Sequence, residues 1–253
     1  MVNLPPLLKR RFAHQINFKP IGLEGQKKLC DSFVLVCGCG GLGTAVAELL
    51  VRAGVGVQIV DNDEIELNNL HRQALYLEED QGVPKYLAAN YRLRQIFSQG
   101  NIETTNARIT ADNIGEFICN AYAVADCTDN FETRFIINDA AAEYKVPWVY
   151  GGCSGSKGVV LPVLPDKIPC LRCLFPEGRI PSNDEDGVIG PVVRMTASLQ
   201  VAEILKILTD NIDAVNDHMT IFDLWTGVFS TIKFDGMRVN CPIHGQRENK
   251  TDV

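Results

Sequence analysis

The segment FVLVCGCGGLG, residues 33–43, decides the fold of this chain. Its first five residues, Phe33–Cys37, are an apolar run with the length of a buried strand. Thr44–Ala53 then has the composition of a buried helix. Between them stand the glycines of a G-x-G-x-x-G pattern, namely Gly38, Gly40 and Gly43. A strand, a glycine turn and a helix in this order bring backbone amides and a helix N-terminus close to a bound phosphate.

A carboxylate stands at the end of the next predicted strand. Val57–Val60 is short and apolar, and Asp61 closes it. In nucleotide-binding βαβ units a carboxylate at this place accepts hydrogen bonds from ribose hydroxyls. The glycine turn and Asp61 together therefore predict a nucleotide site. The alternative is a glycine turn that serves only the packing of helix on sheet.

Strand patterns alternate with helix patterns along most of the remaining chain. The further predicted elements are helix Val83–Phe97, strand Ile102–Asn106, helix Ala111–Cys119, strand Ala121–Ala125, helix Asn130–Tyr144, strands Trp148–Tyr150 and Gly158–Leu164, helix Pro191–Leu208, and an antiparallel pair Met219–Asp223 and Thr231–Phe234. This alternation predicts an α/β fold with a Rossmann-like, doubly wound, mostly parallel sheet and a C-terminal antiparallel extension.

Changes in composition along the sequence suggest how the chain is divided. We expect an N-terminal helical segment at 1–30 and a nucleotide-binding α/β domain at 31–165. Residues 166–245 would form a crossover loop, a helix and a zinc-stapled C-terminal part of the same domain. The polar residues 246–253 are expected to be a disordered tail.

Cations after the second strand help to distinguish between nucleotides. A dinucleotide pyrophosphate carries about two negative charges, which backbone amides usually neutralise. Here Asn69, Arg72 and Lys85 add an amide and two cations to the same region. Taken singly, Arg72 and Lys85 are typical solvated surface charges. Together with the glycine turn they favour a triphosphate, whose charge must be neutralised during attack at phosphorus.

The sequence DCTDN, residues 126–130, ends the fourth predicted strand. Ligands bind at the carboxyl ends of strands in open α/β sheets. Asp129 can hold Mg²⁺ there, because Mg²⁺ prefers one or two carboxylates together with phosphate oxygens. The alternative is that Asp129 caps the helix that begins at Asn130.

Two knuckles near the C-terminus offer three thiolates and one imidazole. They are C-x-x-C at Cys170 and Cys173, and C-x-x-H at Cys241 and His244. This set matches a closed tetrahedral zinc site, which would staple the C-terminal segment to the rest of the domain. A redox role for the first pair is the competing interpretation. Cys153 has no assigned role, although the glycines beside it leave room for it to face the pocket.

Composition narrows the class of protein. A net charge of −7 argues against a general nucleic-acid or anionic-membrane binder. No apolar run reaches the roughly 18 residues that a membrane span needs, and the first residues do not resemble a signal peptide. Nine cysteines without a secretory signal indicate the reducing cytoplasm, where paired cysteines bind metal more often than they form disulfides.

In combination, these motifs resemble the ThiF/MoeB/HesA adenylyltransferases, the bacterial relatives of ubiquitin-activating enzymes. The resemblance runs from about Arg11 to Gly245. It rests on the glycine turn, Val60-Asp61, Asn68–Gln73, Pro84-Lys85, Cys127–Arg134 and the two knuckles. The segment 187–191 and the helix after it are closer to ThiF than to MoeB.

The resemblance implies a homodimer that uses ATP to adenylate the C-terminal Gly-Gly carboxylate of a ubiquitin-like sulfur-carrier protein, in thiamine, molybdopterin or related sulfur metabolism. The carrier tail would pass beneath the 176–190 loop and attack the α-phosphate. The implied nucleotide-binding residues are Gly38, Gly40, Gly41, Gly43, Asp61, Asp63, Asn69, Arg72, Lys85, Asp129 and Asn130. Among them Arg72, Lys85 and Asp129 would be catalytic, with magnesium at Asp129. Charge neutralisation carries the rate, because the nucleophile is already a carboxylate.

Two positions depart from the family pattern. His14 stands where many relatives have a second arginine that reaches into the neighbouring subunit's ATP site. A histidine is shorter and mostly neutral at pH 7. Asn183 stands where ThiF-like members have a loop cysteine, so we expect adenylation without covalent capture at that loop.

Other functions stay open on the sequence alone. A non-catalytic member of the family that binds nucleotide and a partner protein is suggested by His14 and Asn183. An NAD-dependent oxidoreductase is disfavoured by Arg72, Lys85 and the knuckles. A smaller variant is the adenylation of another acceptor, such as a ribosomal peptide or a tRNA base, and the acidic chain makes an RNA acceptor the weaker of these.

Overall fold

The computed structural model describes residues 4–165, 167, 169–175, 187–234, 241 and 243. Its helices are α1 (Pro6–Arg11), α2 (Ala13–Ile16), α3 (Gly22–Asp31), α4 (Gly41–Ala53), α5 (Lys85–Ile96), α6 (Ile114–Ile118), α7 (Phe131–Tyr144), α8 (Leu171–Leu174) and α9 (Gly190–Leu208). Its strands are β1 (Phe33–Cys37), β2 (Gly56–Val60), β3 (Ile102–Thr105), β4 (Ala123–Asp126), β5 (Trp148–Ser154), β6 (Lys157–Val163), β7 (His218–Asp223) and β8 (Val228–Lys233). Short 3₁₀ turns lie at Leu67–Asn69, Glu78–Asp80 and Ile212–Ala214.

The eight strands form one sheet in the order β3-β2-β1-β4-β5-β6-β7-β8. The five strands from β3 to β5 run parallel, and β6, β7 and β8 continue the sheet antiparallel. This confirms the predicted Rossmann-like α/β fold. The antiparallel extension has three strands rather than the predicted pair, because only Gly155 and Ser156 separate β5 from β6 and so short a turn joins antiparallel strands.

A crevice at the carboxyl edge of the sheet follows from the strand order. Cys37 at the end of β1 is in register with Val60 of β2 on one side and with Asp126 of β4 on the other. The three strands therefore end level with one another. Because parallel crossovers are right-handed, α4 and α7 leave these strands toward opposite faces of the sheet. The loops before the two helices part at this switch point and leave room for a ligand.

Helix α4 is buried from its first turn and packs against α5 and α9. It begins at Gly41, three residues before the predicted start at Thr44. The first turn can lie this close to the glycine loop because Gly43 has no Cβ. A Cβ at this position would stand only 1.9 Å from the Gly38 carbonyl oxygen. The helix ends at Gly54, whose φ of +94° gives the left-handed C-cap that favours glycine.

Within the ranges described above, no helix has the length and apolar character needed to cross a lipid bilayer.

Candidate active site

A cleft of about 690 Å³ opens at the carboxyl ends of β1, β2 and β4. Its lining includes ten of the eleven residues expected to bind a nucleotide: Gly38, Gly40, Gly41, Asp61, Asp63, Asn69, Arg72, Lys85, Asp129 and Asn130. Gly43 is the exception, because it faces the interior beside the Gly38 carbonyl. The fold thus brings together residues from Gly38 to Asn130, which lie 92 positions apart in the sequence, as the switch-point rule requires.

The glycines of the turn serve two different purposes. Gly38 has φ +90°, and a Cβ there would lie 3.0 Å from the Cys127 carbonyl oxygen. Gly38 and Gly43 are therefore required by the packing of loop, helix and sheet. At Gly40 the nearest atom to an added Cβ is Gln73 Nε2 at 3.9 Å, so the protein itself leaves this position open toward the cleft. The sequence left two purposes open for this turn, packing and ligand access. In the structure, packing requires Gly38 and Gly43, and Gly40 leaves access for a ligand.

Asp61 ties the glycine turn to the end of β2. Its Oδ2 accepts a hydrogen bond from the Cys39 amide at 2.6 Å, and its Oδ1 accepts one from the Asp63 amide at 2.8 Å. Burial raises the pKa of this carboxyl group, and the two amide hydrogen bonds oppose the shift. Each carboxylate oxygen keeps a further lone pair, so the group can still accept from a ligand hydroxyl.

Two cations of the cleft come from the connection after β2 and from α5. Lys85 is the first residue of α5 and is buried, and its Nζ lies 2.7 Å from Asp63 Oδ2. Arg72 is half-buried, donates from Nη1 to the Asn68 carbonyl at 2.9 Å, and passes beside Gly41. Asn69 is also part of the cleft wall. The burial of Lys85 shows that it is not the solvated surface charge it resembles when read singly.

The loop from β4 to α7 brings a further carboxylate, that of Asp129, to the cleft. Asn130, and not Asp129, caps α7, because the Asn130 side chain accepts from the Thr133 amide at 2.9 Å. The capping alternative for Asp129 is therefore wrong. Asp129 is exposed in the cleft, and its Oδ1 accepts from Asn130 Nδ2 at 3.3 Å. One exposed carboxylate at the cleft fits Mg²⁺, which takes its other ligands from phosphate and water.

Sequence reasoning gave no role to three other side chains of the cleft. Arg134 is buried on the first turns of α7, Gln73 is buried beneath the glycine turn, and Arg108 is exposed at the rim. The Oε1 atom of Gln73 has no hydrogen-bond partner among the described residues. Arg134 and Gln73 both stand inside segments that carry the family resemblance, and a buried polar residue in such a segment is the signal that points to them.

Cys153 does line the cleft, as its neighbouring glycines allow. Its Sγ donates to Thr196 Oγ1 at 3.1 Å. Burial raises the pKa of the Cys153 thiol to about 11, with the Thr196 hydrogen bond and the charge of Arg134 acting in the opposite direction. The thiol is therefore protonated at neutral pH and is a weak nucleophile.

Of the two positions that depart from the family pattern, the described residues include His14, which lies near Arg11, but not Asn183. Arg11 donates from Nη2 to the Ile96 carbonyl at 2.8 Å, and its Cζ lies 4.3 Å from the ring centroid of Phe97. His14 is exposed on α2. Asn183 and most of the 176–190 loop lie outside the described residues. The end of that loop pairs with Gly155, and Val188 lines the cleft.

A separate cluster of thiols lies between α8 and the C-terminal segment. Cys170, Cys173 and Cys241 are buried, and their Sγ atoms lie within 4.8 Å of one another. Cys170 Sγ is 3.8 Å from Cys173 Sγ and 3.7 Å from Cys241 Sγ. Tetrahedral zinc with Zn–S bonds of about 2.3 Å requires sulfurs about 3.8 Å apart, so these thiols fit the metal. The fourth predicted ligand, His244, lies outside the described residues.

Fold and cleft together define a Rossmann-like nucleotide-binding protein. The chain belongs to the ThiF family, whose model matches residues 12–243. The sulfur carrier protein ThiS adenylyltransferase of Bacillus subtilis is 42% identical over 245 residues, covering 94% of this chain and 72% of that protein. The sulfur carrier protein adenylyltransferase of Thermus thermophilus is 36% identical over 255 residues, covering 96% of this chain and 93% of that protein. These relatives support the predicted position on the ThiF side.

A likeness to solved structures supports the fold. The crystal structure of E. coli MccB with ATP has a TM-score of 0.80 at 20% identity, covering 96% of this chain and 77% of that chain.

Proposed function

We propose that this chain is an ATP-dependent adenylyltransferase that activates the C-terminal Gly-Gly carboxylate of a ubiquitin-like sulfur-carrier protein. Its membership of the ThiF family and the names of its relatives, which are sulfur-carrier adenylyltransferases, support the reaction class. The observation that carries the proposal is the convergence of Arg72, Lys85 and Asp129 on one cleft beside an open glycine turn. The same observation disfavours an NAD-dependent oxidoreductase, since a pyrophosphate needs fewer cations.

Each group of the cleft then has a part in the reaction. The amides of Gly40 and Gly41 bind phosphate oxygens, because those of Gly38 and Cys39 already donate to Val60 and Asp61, and Asp61 also accepts from the ribose. Lys85 and Arg72 neutralise the polyphosphate, and Asp129 would hold Mg²⁺, which supplies further positive charge when bound. The carrier carboxylate attacks the α-phosphorus, the bond to the β-phosphate oxygen breaks, and pyrophosphate leaves. A carboxyl–AMP anhydride remains, and no proton transfer is required.

The carrier needs a docking surface near the cleft, and the β7–β8 hairpin provides one. Trp225 in its turn is 82% exposed, and Val228, Phe229 and Ile232 on β8 are also exposed. Ser156 Oγ donates to Asp223 Oδ1 at 2.7 Å, so the hairpin turn lies against the β5–β6 turn, whose Gly155 pairs with Val188 of the cleft. Val228 and Ile232 share one face of β8 and Phe229 lies on the other, and these apolar side chains on the edge strand of the described sheet suit a small folded protein whose tail enters the cleft.

Trp225→Ala tests this surface. We expect the carrier concentration for half-maximal activity to rise about tenfold or more, because exposed aromatic anchors dominate many interfaces. The ATP concentration for half-maximal activity should not change. An unchanged carrier requirement would place the carrier elsewhere.

The remaining predictions belong to the same proposal. The protein forms a homodimer in the cytoplasm, and it acts in a pathway of thiamine or molybdopterin type. The boundaries between the parts of the chain lie at residues 30, 165 and 245. Structural zinc is bound by Cys170, Cys173, Cys241 and His244. Adenylation proceeds without a covalent adduct at Asn183, because an amide side chain cannot form a thioester or a persulfide.

ATP–pyrophosphate exchange tests the proposed function. The full chain should catalyse exchange only with Mg²⁺ and a carrier that ends in Gly-Gly. Lys85→Ala should reduce exchange at least about a hundredfold, because it removes a charge at the developing pyrophosphate. Arg52→Ala is the matched control, because Arg52 pairs with Glu48 on the surface of α4 away from the cleft.

Two results would count against the function. The first is a folded chain that binds NAD and not ATP. The second is a chain that binds a Gly-Gly carrier and nucleotide but gives no exchange, which is the behaviour of the non-catalytic alternative.

A further inference from the structure

Arg134 is a buried cation in the wall of the cleft. It is 5% exposed, and its Cζ lies between two aromatic rings, 4.8 Å from the Phe131 centroid and 5.0 Å from the Tyr150 centroid. Its Nη2 donates to the Thr128 carbonyl oxygen at 2.8 Å. Its Nε lies 3.7 Å from Asp126 Oδ2, and neither of these two atoms has a hydrogen bond among the described residues. The guanidinium plane is thus fixed by stacking, by one hydrogen bond and by the attraction of a buried carboxylate.

The same carboxylate holds Thr128 from the other side. Asp126 Oδ1 accepts from the Thr128 amide at 3.0 Å and from the Thr128 hydroxyl at 2.7 Å. Because Arg134 holds the carbonyl of Thr128, all the polar groups of that residue are bound within the protein. The peptide that leads into Asp129 therefore has a fixed orientation.

Asn130, the residue that follows Asp129, also restrains it. Asn130 is anchored as the cap of α7, and its Nδ2 donates to Asp129 Oδ1. The Asp129 carboxylate is nevertheless exposed in the cleft. An exposed carboxylate on a peptide held at both ends is pre-organised for a ligand, since little orientation is left to lose on binding.

We propose that Arg134 is a positioning residue, which orients the Thr128–Asp129 peptide so that the Asp129 carboxylate can bind the divalent cation that accompanies the nucleotide. This inference rests on the proposed function, and it gives Arg134 no direct contact with phosphate. The charge of Arg134 is matched by Asp126 next to it. Groups one step removed from a metal typically change metal affinity tenfold to a hundredfold when they are altered.

Arg134→Lys is the working variant, because it keeps a positive charge beside Asp126 and loses the fork that reaches Thr128. The probe is the fluorescent analogue mant-ATP, titrated against the full-length chain at a series of free Mg²⁺ concentrations and in EDTA. We expect the Mg²⁺ concentration for half-maximal binding to rise about tenfold. Affinity in EDTA should stay within about threefold of wild type, because the glycine turn, Arg72 and Lys85 are unaltered.

Arg92→Lys is the matched control. Arg92 is also largely buried and paired with carboxylates, Glu79 and Asp80, but it does not line the cleft. Its Mg²⁺ requirement should equal that of wild type. A second comparison uses Asp129→Asn, which should show the same Mg²⁺ defect, and the double variant with Arg134→Lys should show no further loss.

The outcomes separate this inference from the function on which it rests. An equal loss of affinity with and without Mg²⁺ would overturn it and would mean that Arg134 acts on the nucleotide directly or only on stability. Additive effects of Arg134→Lys and Asp129→Asn would also overturn it. A wild-type chain that binds no mant-ATP under any condition would refute the proposed function, and this inference with it.

Discussion

Lys85 carries its charge in a buried position at the start of α5. Its side chain is 8% exposed and lies beside the exposed carboxylate of Asp63. The connection after β2 folds back on the start of α5 and encloses it, as the bridge between Glu64 and Pro84 shows. This burial depends on contacts between distant segments and could not be deduced from local pattern. A buried lysine at a ligand cleft is suited to a polyphosphate, which replaces the lost hydration.

Cys153 allows a prediction about pH. Its pKa of about 11 means that the thiolate fraction, and with it the rate of alkylation by iodoacetamide, should rise about tenfold per pH unit between about pH 7.5 and about pH 10. Saturating ATP should slow the reaction, because Cys153 lines the cleft. Peptide mapping by mass spectrometry measures the rate.

Cys119 is the internal control for that measurement, because it is exposed and should be modified without protection by ATP. Cys153→Ser should retain ATP–pyrophosphate exchange. Rapid alkylation of Cys153 near neutral pH would contradict its raised pKa, and a covalent adduct between the carrier and Cys153, absent from the serine variant, would show that this thiol takes over the part of the missing loop cysteine.

At the scale of elements, the glycine turn is the feature that sequence described best. β1 has the predicted bounds, and the turn lies against α4 as expected. The start of α4 was predicted too late, because glycine has a low helix propensity and the close contact between Gly43 and the Gly38 carbonyl cannot be seen in the sequence. The alternative role of Asp129 as the cap of α7 is wrong, since Asn130 is the cap, and the sequence could not decide this because aspartate and asparagine are equally good caps.

Two alanine substitutions should separate the purposes of the turn. Gly43→Ala forces a methyl group against the Gly38 carbonyl and should cost at least about 2 kcal/mol of folding free energy. Apart from its chain neighbours, Gly40→Ala meets no atom of the described residues closer than 3.9 Å, and it should leave the melting temperature unchanged. It should still weaken ATP binding at least about tenfold, because the backbone can no longer approach the phosphates.

Thermal unfolding and mant-ATP titration of the two variants measure both quantities. A Gly40→Ala chain that binds ATP normally would mean that the nucleotide does not use the turn. A Gly43→Ala chain as stable as wild type would contradict the packing described for α4.

The thiol cluster makes a prediction about metal. Elemental analysis of the purified chain should find about one zinc per chain, because Cys170 Sγ already lies at the required spacing from the other two sulfurs and all three are within 4.8 Å of one another. Removal by a chelator, or Cys170→Ser, should lower the melting temperature by several degrees, since the bound metal contributes to folding. Cys119→Ser is the control. A metal-free chain with normal stability, or a disulfide between Cys170 and Cys173, would favour the redox interpretation.

At the scale of the whole molecule, the strand order converts scattered motifs into one site. Sequence predicted the fold class, and ten of the eleven residues predicted to bind nucleotide line the cleft, because glycine turns and strand ends are local signals with a fixed place in this topology. It did not assign Arg134 or Gln73, because their burial and the contact of Arg134 with the Thr128 carbonyl form only in the folded chain. Family membership explains why the motifs occur together, and the geometry gives each of them a physical task.

Adenylation of the carrier is the central claim, and the mass of the carrier tests it most directly. The full chain is incubated with ATP, Mg²⁺ and a small ubiquitin-like protein that ends in Gly-Gly, and the carrier is examined by intact-mass spectrometry. The account predicts a carrier heavier by one adenylyl group, and no change for a carrier that lacks its last glycine. An unmodified carrier, although the chain binds both it and ATP, would contradict the account.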